Sequence, residues 1–580
     1  MSDSLADELK AVRYEVHEEL RLQEVRMQKL WRKPLVERVA AGRSLGPLRL
    51  DSLDGERGMA HFQVPREDFA FFRERERVRL SRDSPETDFV SAELIGLTDK
   101  GLTFSCASAA GLGLSERDGW TIDEDLVDLS RFYLKAIDAL GETEHGRDEV
   151  CPVLFGEPES EIDFGIYDEV LDGFEGADIP MDESQADAVA TCLASSPFHL
   201  VQGPPGTGKT HTLVRLVEQL VEQGHRVLLT AFTHRAIHHA LAKVHELLGD
   251  RCPVVKISDP VVGEQFPFKV FSDLEASQLV DHDGPYVIGA TPFALWSFRL
   301  AAAHFDSAVL DETSQLTLPS AAMVMLKSDR WFFFGDHRQL PPVSLMHQDD
   351  PTRASVFARL ARQCKPTTLN TTYRMNEPLT RWPSESFYSG ELAAAAAVAG
   401  HRLALKSVAR SYPQLLGAEP CLLRVELDHH GAKSRSDEEA ELAADLVRDL
   451  LASGLRAEEI GIVVPFRAQA GRIRTLLRGD RFSEAGRAVT VDTVERFQGQ
   501  EREVVICSFA SSDFLFLEKL GGFLFQAQRL NVAVTRARTK VLLLHSVALR
   551  EYAEAMRSRW EGAAILMSLF ESATLVGDHR

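Results

Sequence analysis

Apolar residues recur every three or four positions in two stretches near the start of the chain, which predicts two amphipathic helices. The first stretch has its apolar positions at Leu5, Leu9, Val12, Val16 and Leu20. The second is DEDLVDLSRFYLKAIDAL. Between them, short apolar strings separated by Gly, Pro, Asp and Ser predict a small β-barrel. We therefore expect a stalk helix at 1–34, a barrel at 35–115, and a second stalk helix with a linker at 116–180.

From about residue 181 onward, short apolar strings alternate with helical stretches, which is the pattern of an α/β fold. The first series of strings is FHLV, RVLLTA, YVIGA, SAVLD and WFFF, and the second is CLLRV, IGIVV, VTV, VVICSF and KVLLLH. Because the pattern occurs twice, with a join near HQDDPTR, we predict two α/β domains at 181–350 and 351–580.

With 44% hydrophobic and 26% charged residues, the composition is that of a globular protein. A chain of 580 residues is too long for one hydrophobic core, so we expect several domains. There is no apolar run of 18 residues and no signal-peptide pattern at the start, so we expect a cytoplasmic protein without a membrane span. The seven cysteines form no CxxC pair, which argues against zinc, iron–sulfur and disulfide frameworks. The net charge of −22 argues against wrapping duplex DNA by bulk attraction, although a narrow strand channel remains possible.

The string GPPGTGKT directly follows the apolar string FHLV and precedes a helical stretch, which is the context that a P-loop requires. Its glycines allow backbone N–H groups to close around phosphates, Lys209 brings positive charge to the β and γ phosphates, and the Thr210 hydroxyl can bind magnesium. We therefore predict that the chain binds nucleotide phosphates together with Mg²⁺. The nucleotide-binding residues predicted here are Gly203, Pro204, Gly206, Thr207, Gly208, Lys209, Thr210 and His211.

About a hundred residues further on, Asp311 ends the apolar string SAVLD and Glu312 follows it directly. In a P-loop protein, the first carboxylate holds magnesium and the second orients and deprotonates the attacking water. A pair of acids after a strand is by itself more often a solvated turn. Next to a P-loop, the catalytic interpretation is favoured.

Six strings in this order resemble those of superfamily 1B helicases, in the branch that contains the up-frameshift helicase, the immunoglobulin mu-binding helicase and senataxin. Besides the P-loop and DETSQ they are GDHRQLPPV, TYRMNEPL, VDTVERFQGQE and LNVAVTRAR. The resemblance covers about 181–580, and the predicted helix–barrel–helix module is similar to the accessory barrel of that branch. It implies two RecA-like P-loop domains and an ATP-dependent helicase or translocase, acting 5′ to 3′ on single-stranded DNA or RNA.

The resemblance also implies roles for individual residues. It places Gln185 at the adenine, Tyr373 against the base and Glu501 at the ribose. Gln339 corresponds to the γ-phosphate sensor, and Arg374 and Arg536 to arginine fingers that reach across the cleft from the second domain. Arg538 fits a structural role equally well. The catalytic set is Lys209, Asp311, Glu312, Gln339, Arg374 and Arg536, with Thr210 and Asp311 as magnesium ligands.

Strand contacts are expected in loops at the carboxyl ends of the strands, where Thr hydroxyls and backbone amides can hold phosphates without sequence preference. We expect a motor that acts as a monomer on single-stranded nucleic acid. For each threonine the simpler alternative is a helix cap. The candidates are Thr233, Thr291, Pro292, Pro465, Phe466 and Thr493.

An arginine-rich string, FRERERVRLSR, lies in or beside the predicted barrel. Alternation places its arginines on one strand face, which could guide nucleic acid, or could be a solvated face paired with Glu74 and Glu76. Its arginines are Arg73, Arg75, Arg77, Arg79 and Arg82.

Relative to larger members of the branch, the second accessory insertion looks shortened or absent, and neither a zinc module nor a nuclease domain is visible. Two alternatives stay open beside a helicase. One is an ATPase that remodels nucleoprotein on a single strand without efficient unwinding. The other is an interaction protein that the nucleotide only switches.

Overall fold

The computed structural model describes residues 3–55, 58–64, 72, 76–98, 101–106, 118–158, 160–175, 180–259, 265–347, 350–407, 411–479, 482 and 484–577. The chain divides into two compact units. Unit 1 consists of Met1–Glu19 and Leu129–Gly400, and unit 2 consists of Leu20–Asp128 and His401–Arg580.

The N-terminal part contains the predicted long helix and a closed barrel. Its helices are α1 (Asp3–Trp31) and α2 (Leu35–Ala40), and its strands are β1 (Ser44–Asp54), β2 (Met59–Gln63), β3 (Arg77–Ser84), β4 (Asp88–Thr98), β5 (Gly101–Cys106) and β6 (Trp120–Glu124). The barrel order is β1-β2-β5-β4-β3-β6. Phe62 packs edge-on against Phe104 and Trp120 inside it. The barrel runs past the predicted boundary at 115, because β6 closes it against β1 and β3.

Unit 1 is built around an eight-stranded sheet whose strands are all parallel, in the order β12-β11-β13-β10-β14-β15-β9-β16. These strands are β9 (Phe198–Gln202), β10 (Arg226–Ala231), β11 (Val254–Ile257), β12 (Lys269–Phe271), β13 (Tyr286–Gly289), β14 (Phe305–Asp311), β15 (Ser328–Gly335) and β16 (Thr367–Thr368). Two short pairs accompany them: β7 (Glu161–Ile162) with β8 (Ser195–Ser196), and β17 (Thr371–Thr372) with β18 (Ala393–Ala394).

The helices of unit 1 leave the central strands buried, which is why those strands are continuous apolar strings. They are α3 (Ser130–Glu142), α4 (Cys151–Phe155), α5 (Phe164–Glu175), α6 (Glu183–Ala194), α7 (Lys209–Glu222), α8 (His234–Leu248), α9 (Leu274–Ser277), α10 (Pro292–Leu295), α11 (Leu318–Met325), α12 (Val356–Ala361), α13 (Glu377–Phe387) and α14 (Ala396–Ala399).

Unit 2 combines the barrel with a six-stranded parallel sheet in the order β21-β20-β22-β23-β19-β24. Its strands are β19 (Leu422–Leu427), β20 (Ile460–Val464), β21 (Thr490–Thr493), β22 (Arg502–Ser508), β23 (Ala537–Ser546) and β24 (Thr574–Val576). Its helices are α15 (Pro413–Leu416), α16 (Asp437–Ala452), α17 (Arg467–Arg478), α18 (Glu484–Ala488), α19 (Val494–Phe497), α20 (Phe514–Leu524), α21 (Ala527–Val534), α22 (Val547–Met556) and α23 (Glu561–Ser572). The predicted α/β class with two parallel sheets is confirmed.

The boundary between the units differs from the predicted join at 350, since unit 1 continues to Gly400. The reason is pairing over a long sequence separation: β16 adds to the edge of the first sheet beside β9. Arg374 and Tyr373 therefore belong to the unit that carries the P-loop, whereas the sequence placed them in the second domain. Among the helices that the structure describes, none combines the length and apolarity needed to cross a bilayer.

Candidate functional site

The P-loop connects β9 to α7 at the carboxyl edge of the first sheet, as predicted. Gly206 and Gly208 have φ values of 78° and 75°, a left-handed conformation that glycine adopts without strain. A Cβ atom on Gly203 would lie 2.8 Å from the Lys209 Cβ, so this glycine lets the loop pass close to the lysine. Within the loop, the Thr207 hydroxyl donates to the Pro204 carbonyl at 2.8 Å. The loop is therefore a tight turn of backbone around the start of α7.

Lys209, Asp311 at the end of β14 and Glu312 directly after it form one cluster. The Lys209 ammonium donates to the carboxylate of Asp311, and to Glu312 Oε1 at 3.0 Å. Burial by itself would lower the pKa of Lys209, but the two neighbouring carboxylates outweigh it and hold that pKa above its ordinary value. The ammonium therefore remains charged at neutral pH.

Glu312 is held in an unusual conformation, with a φ of 53° in the left-handed region. Such a backbone costs a non-glycine residue on the order of 1–3 kcal/mol, and such residues cluster at functional sites. Its side chain accepts a hydrogen bond from Gln315 Nε2 at 3.3 Å as well as the one from Lys209. The strained turn aims the carboxylate back toward the P-loop lysine.

The same cluster fits a magnesium ion. Two carboxylates against one ammonium leave a negative excess, and carboxylate and hydroxyl oxygens are the ligands that Mg²⁺ prefers. Asp311 is 4% exposed at the end of β14, and Thr210 is the second residue of α7. The chemistry of these donors agrees with the predicted ligand set.

Gln185 ties helix α6 to the P-loop. Its side-chain oxygen accepts from the Asp182 backbone N–H at 3.3 Å, and its Nε2 donates to the Thr207 carbonyl at 3.0 Å. These two bonds leave one amide hydrogen and one oxygen lone pair for a ligand. Gln185 is only 3% exposed, so adenine recognition by this residue stays a prediction. Its structural bonds to the loop were not foreseen.

Tyr373 lies beside the same loop and is 45% exposed. Its backbone N–H donates to the Gly206 carbonyl at 2.8 Å, and its hydroxyl donates to Asp182 Oδ2 at 2.8 Å. Burial and the bond to Asp182 raise the pKa of Tyr373 to about 12. A half-exposed ring fixed at both ends next to a P-loop suits the predicted stacking on a base. Arg374 follows Tyr373 in sequence. A Cβ atom on Gly206 would lie 2.5 Å from the Arg374 Cβ, so the P-loop backbone passes close to Arg374.

Gln339 is positioned by a buried carboxylate that the sequence did not single out. Asp336, 2% exposed, accepts from Gln339 Nε2 at 2.8 Å, from Gln202 Nε2 at 3.1 Å and from the Tyr388 hydroxyl at 2.7 Å. Gln202 is the last residue of β9, directly before the P-loop. Asp336 therefore links the predicted sensor to the P-loop strand. Its place in GDHRQ could have suggested it, whereas nothing in the sequence around Tyr388 marks that residue.

His211 is in the first turn of α7, where its Nε2 lies 3.0 Å from the Pro180 carbonyl. Burial lowers its pKa below the ordinary value. The residue therefore anchors the helix to the segment before α6. A contact with nucleotide stays a prediction.

The predicted strand contacts of unit 1 come together at one edge. Thr233 follows β10 and Thr291 follows β13, and these two strands are parallel neighbours. The Thr233 hydroxyl caps α8 and the Thr291 hydroxyl caps α10, where Pro292 is the first residue. The helix-cap alternative is thus observed for both threonines, and a cap leaves the hydroxyl hydrogen available to a phosphate.

The predicted strand contacts of unit 2 also share an edge. Val464 pairs with Thr493 in neighbouring parallel strands, and Pro465 and Phe466 follow directly. The Phe466 ring stacks on Phe523 at 5.8 Å between centroids.

Further predicted residues of unit 2 are held by local bonds. Glu501 is ion-paired with Arg538, which gives Arg538 a structural partner. Arg536 is 2% exposed, and its Nε donates to the Val532 carbonyl at 2.9 Å. Contacts of Glu501 and Arg536 with a nucleotide stay predictions.

Of the arginine-rich string, Arg73 and Arg75 lie outside the described residues. Arg79 does not face solvent as a guide would. Its guanidinium lies 3.5 Å from the Trp31 ring centroid and 3.7 Å from that of Phe89, and it donates to Asp125 at 2.6 Å. Arg79 is therefore a packing residue of the barrel.

Two family models, each described as "AAA domain", match residues 180–266 and 352–547. The DNA-binding protein SMUBP-2 of Mesocricetus auratus is 30% identical over 430 residues, which cover 63% of this chain and 42% of that protein. The DNA replication ATP-dependent helicase/nuclease dna2 of Schizosaccharomyces pombe is 27% identical over 399 residues, covering 63% of this chain and 28% of that protein. The DNA polymerase alpha-associated DNA helicase A of the same yeast is 26% identical over 465 residues, or 67% of each chain. The chain thus spans less than half the length of the first two relatives.

Proposed function

The chain belongs to the up-frameshift-like branch of superfamily 1 helicases, and we propose that it hydrolyses ATP to move along single-stranded nucleic acid. One observation carries this proposal: the P-loop lysine contacts Asp311 at the end of β14 and Glu312 directly after it, close to the half-exposed ring of Tyr373. A packing role for these residues would not need a charged lysine and two carboxylates in a buried turn.

ATP binding exchanges the partners of Lys209. In the structure, its ammonium is ion-paired with Asp311 and Glu312. A triphosphate in the P-loop offers the lysine a stronger anion, so the ammonium turns to the phosphates and releases the carboxylates. Glu312 is then free to orient and deprotonate the attacking water. The exchange would couple the readiness of the base to the presence of substrate.

We assign magnesium to the Thr210 hydroxyl and the Asp311 carboxylate. When bound, the ion supplies positive charge for the phosphate oxygens. Tyr373 would stack on the base, and the remaining amide hydrogen and lone pair of Gln185 would select adenine. Gln339 would report the state of the γ-phosphate through Asp336 to the strand that carries the P-loop.

Strand contacts are assigned to the carboxyl edges that hold Thr233 and Thr291 in unit 1, and Phe466 and Thr493 in unit 2. Their hydroxyl and aromatic groups can contact phosphates and bases without preference for a nucleotide sequence, which suits a motor that moves along any strand. We also propose 5′-to-3′ movement by a monomer in the cytoplasm. SMUBP-2 is described as DNA-binding, which makes single-stranded DNA the first strand to test.

The proposal is tested by measuring ATP turnover with and without single-stranded oligonucleotides. The wild-type chain should be stimulated by strands. Glu312→Gln should lose turnover by about 10²–10⁴-fold but still bind ATP, because only the base is removed. Glu246→Gln, an exposed residue of α8 in the same unit, is the matched control and should retain turnover.

Full turnover in Glu312→Gln would exclude the assigned base, and a wild-type chain indifferent to strands would exclude the motor. A forked duplex with a labelled strand then separates unwinding from movement alone. Release of the label requires unwinding, whereas displacement of a bound protein from a single strand requires only translocation.

A further inference from the structure

Three arginines and two glutamates of unit 2 meet where the barrel contacts the α/β part of that unit. Arg43 and Glu124 belong to the barrel, at the residue before β1 and at the end of β6, and Glu76 lies directly before β3. Arg467 is the first residue of α17, and Arg496 lies in α19. The cluster thus combines two basic residues of the α/β part with two acidic residues of the barrel.

Each glutamate is engaged by arginine. Arg496 Nη2 donates to Glu76 Oε1 at 2.7 Å over a separation of 420 residues in sequence. Glu124 is ion-paired with Arg43, and Arg467 Nη1 lies 3.8 Å from Glu124 Oε2. The barrel backbone fixes both acids, because the Glu76 carbonyl accepts from Leu94 and the Glu124 carbonyl accepts from the Trp31 indole, each at 3.0 Å.

Both arginines of the α/β part lie at the edge that carries the assigned strand contacts. Arg467 directly follows Pro465 and Phe466 after β20. Arg496 lies three residues after Thr493, which ends the neighbouring strand β21. The side chains of Arg467 and Arg496 are 21% and 12% exposed. A strand held at this edge would pass beside two guanidinium groups that the barrel acids now cover.

The cluster is short of anions among the described residues. Arg467 Nη1 is buried and has no hydrogen-bond partner within the part of the chain that the structure describes. Burial and the positive charges of Arg43 and Arg496 lower the pKa of Arg467 to about 10, which still leaves it charged at neutral pH. A buried charged donor without a hydrogen bond is costly, so this position calls for a further anion.

We propose that Arg467 and Arg496 bind phosphate groups of the single strand, and that Glu76 and Glu124 occupy these arginines when no strand is bound. The inference rests on the proposed function, since it names two further contacts of the same strand-binding edge. The barrel acids are then internal substitutes for the strand, and strand binding is an exchange of carboxylate for phosphate.

The chemistry of the guanidinium supports this exchange. Its planar fork matches carboxylate and phosphate equally in geometry, and it forms paired hydrogen bonds with either. A nucleic acid strand also gains free energy by releasing counterions when arginine neutralises its phosphates. Phosphates can therefore replace carboxylates that are only partly engaged, such as the Glu124 group 3.8 Å from Arg467.

The first test measures binding of the full chain to labelled oligothymidylate and oligouridylate over a range of salt concentrations. Each arginine that contacts a phosphate contributes about 0.7 to the slope of log K against log salt for single strands. Arg467→Gln and Arg496→Gln should each weaken binding and lower the slope by about that amount. Arg456→Gln is the matched control, because Arg456 pairs with Glu459 at the opposite end of β20 and should leave the slope unchanged.

The second test removes a competing acid and does not depend on how well the arginine variants fold. Glu76→Gln should tighten oligonucleotide binding by about two- to fivefold, the range expected for releasing one partly exposed ion pair. Glu459→Gln, which frees Arg456 at the opposite end of the strand, should leave affinity unchanged. A structural role for Glu76 alone predicts no gain in affinity.

Unchanged salt slopes in both arginine variants, or unchanged affinity in Glu76→Gln, would overturn the inference. These failures differ from failure of the proposed function. A wild-type chain that is stimulated by strands, together with indifferent variants, would retain the motor and reject only this site. A wild-type chain without strand-dependent turnover would reject the motor itself.

Discussion

Removal of a single hydroxyl, in Tyr388→Phe, tests whether the buried carboxylate of Asp336 positions Gln339. The Tyr388 hydroxyl donates to Asp336 Oδ2 at 2.7 Å, and the same oxygen accepts from Gln339 Nε2 at 2.8 Å. Asp336 is 2% exposed and Tyr388 is 6% exposed. Phenylalanine keeps the ring in place, so the change removes one donor from a buried, charged acceptor.

A hydrogen bond to a charged group contributes about 1.5–3 kcal/mol, and water cannot easily replace the donor at a buried position. The matched control is Tyr167→Phe in the same unit. The Tyr167 hydroxyl donates to Asp187 Oδ1 at 2.8 Å, but Tyr167 is only half-buried. Because water can replace that donor, we expect the control to lose about 1 kcal/mol or less.

Amide hydrogen exchange of peptides that cover β15 and α13 measures the local loss of stability in each variant. A thermal unfolding curve would average this loss over both units of the chain. Tyr388→Phe should lose protection there by about 10- to 100-fold, since each 1.4 kcal/mol is a factor of ten. Strand-stimulated kcat should fall while KM for ATP is unchanged, because Gln339 is displaced and the P-loop is intact. Protection and kcat no lower than in the Tyr167→Phe control would refute the positioning role of Asp336.

Three further predictions concern the loop, the barrel and the pH response. Gly208→Ala places a Cβ 2.5 Å from Gln185 Nε2, and alanine in this left-handed backbone costs about 1–2 kcal/mol. The KM for ATP should therefore rise, and an unchanged KM would contradict the tight packing of the P-loop. Arg79→Gln should lower the denaturation midpoint of the barrel and leave oligonucleotide affinity unchanged, because two aromatic rings enclose the guanidinium; reduced affinity at unchanged stability would restore a guiding role. Burial lowers the pKa of His199 to about 4. Between about pH 6.5 and 4, this histidine is therefore protonated in the unfolded chain and neutral in the folded chain. The stability of unit 1 should therefore fall as the pH drops through that window, by up to about 1.4 kcal/mol per pH unit, and His199→Asn should reduce the slope in urea unfolding.

The sequence was sufficient for features that depend on local pattern. Each apolar string of the two predicted α/β domains forms a strand of a parallel sheet, and the P-loop and the acids at the carboxyl end of β14 meet because carboxyl ends of parallel strands share an edge. Thr233 and Thr291, predicted to lie in loops at the carboxyl ends of strands, follow two neighbouring parallel strands.

Features that depend on distant partners could not be predicted. The two-residue strand β16 has no apolar pattern of its own, yet its pairing with β9 extends unit 1 to Gly400. The alternation in sequence places Arg79 on a charged strand face, whereas in the closed barrel its guanidinium packs against the rings of Trp31 and Phe89. Pairing of Glu76 with neighbouring arginines is one of the two alternatives for the arginine-rich string, but in the structure Glu76 accepts a hydrogen bond from Arg496 over a separation of 420 residues.

The charge of the chain explains why its cationic groups need partners of their own. With a net charge of −22, bulk attraction to a polyanion is absent, so binding must come from a few positioned lysines and arginines. In the structure these groups are already neutralised: Lys209 by Asp311 and Glu312, and Arg496 by Glu76. A ligand must then displace a carboxylate at each site, which disfavours loose anions and favours polyphosphates that engage several groups at once. Inorganic phosphate at moderate concentration should therefore compete poorly with both ATP and oligonucleotide. Efficient competition by phosphate would show that the carboxylates do not hinder anion binding at these sites.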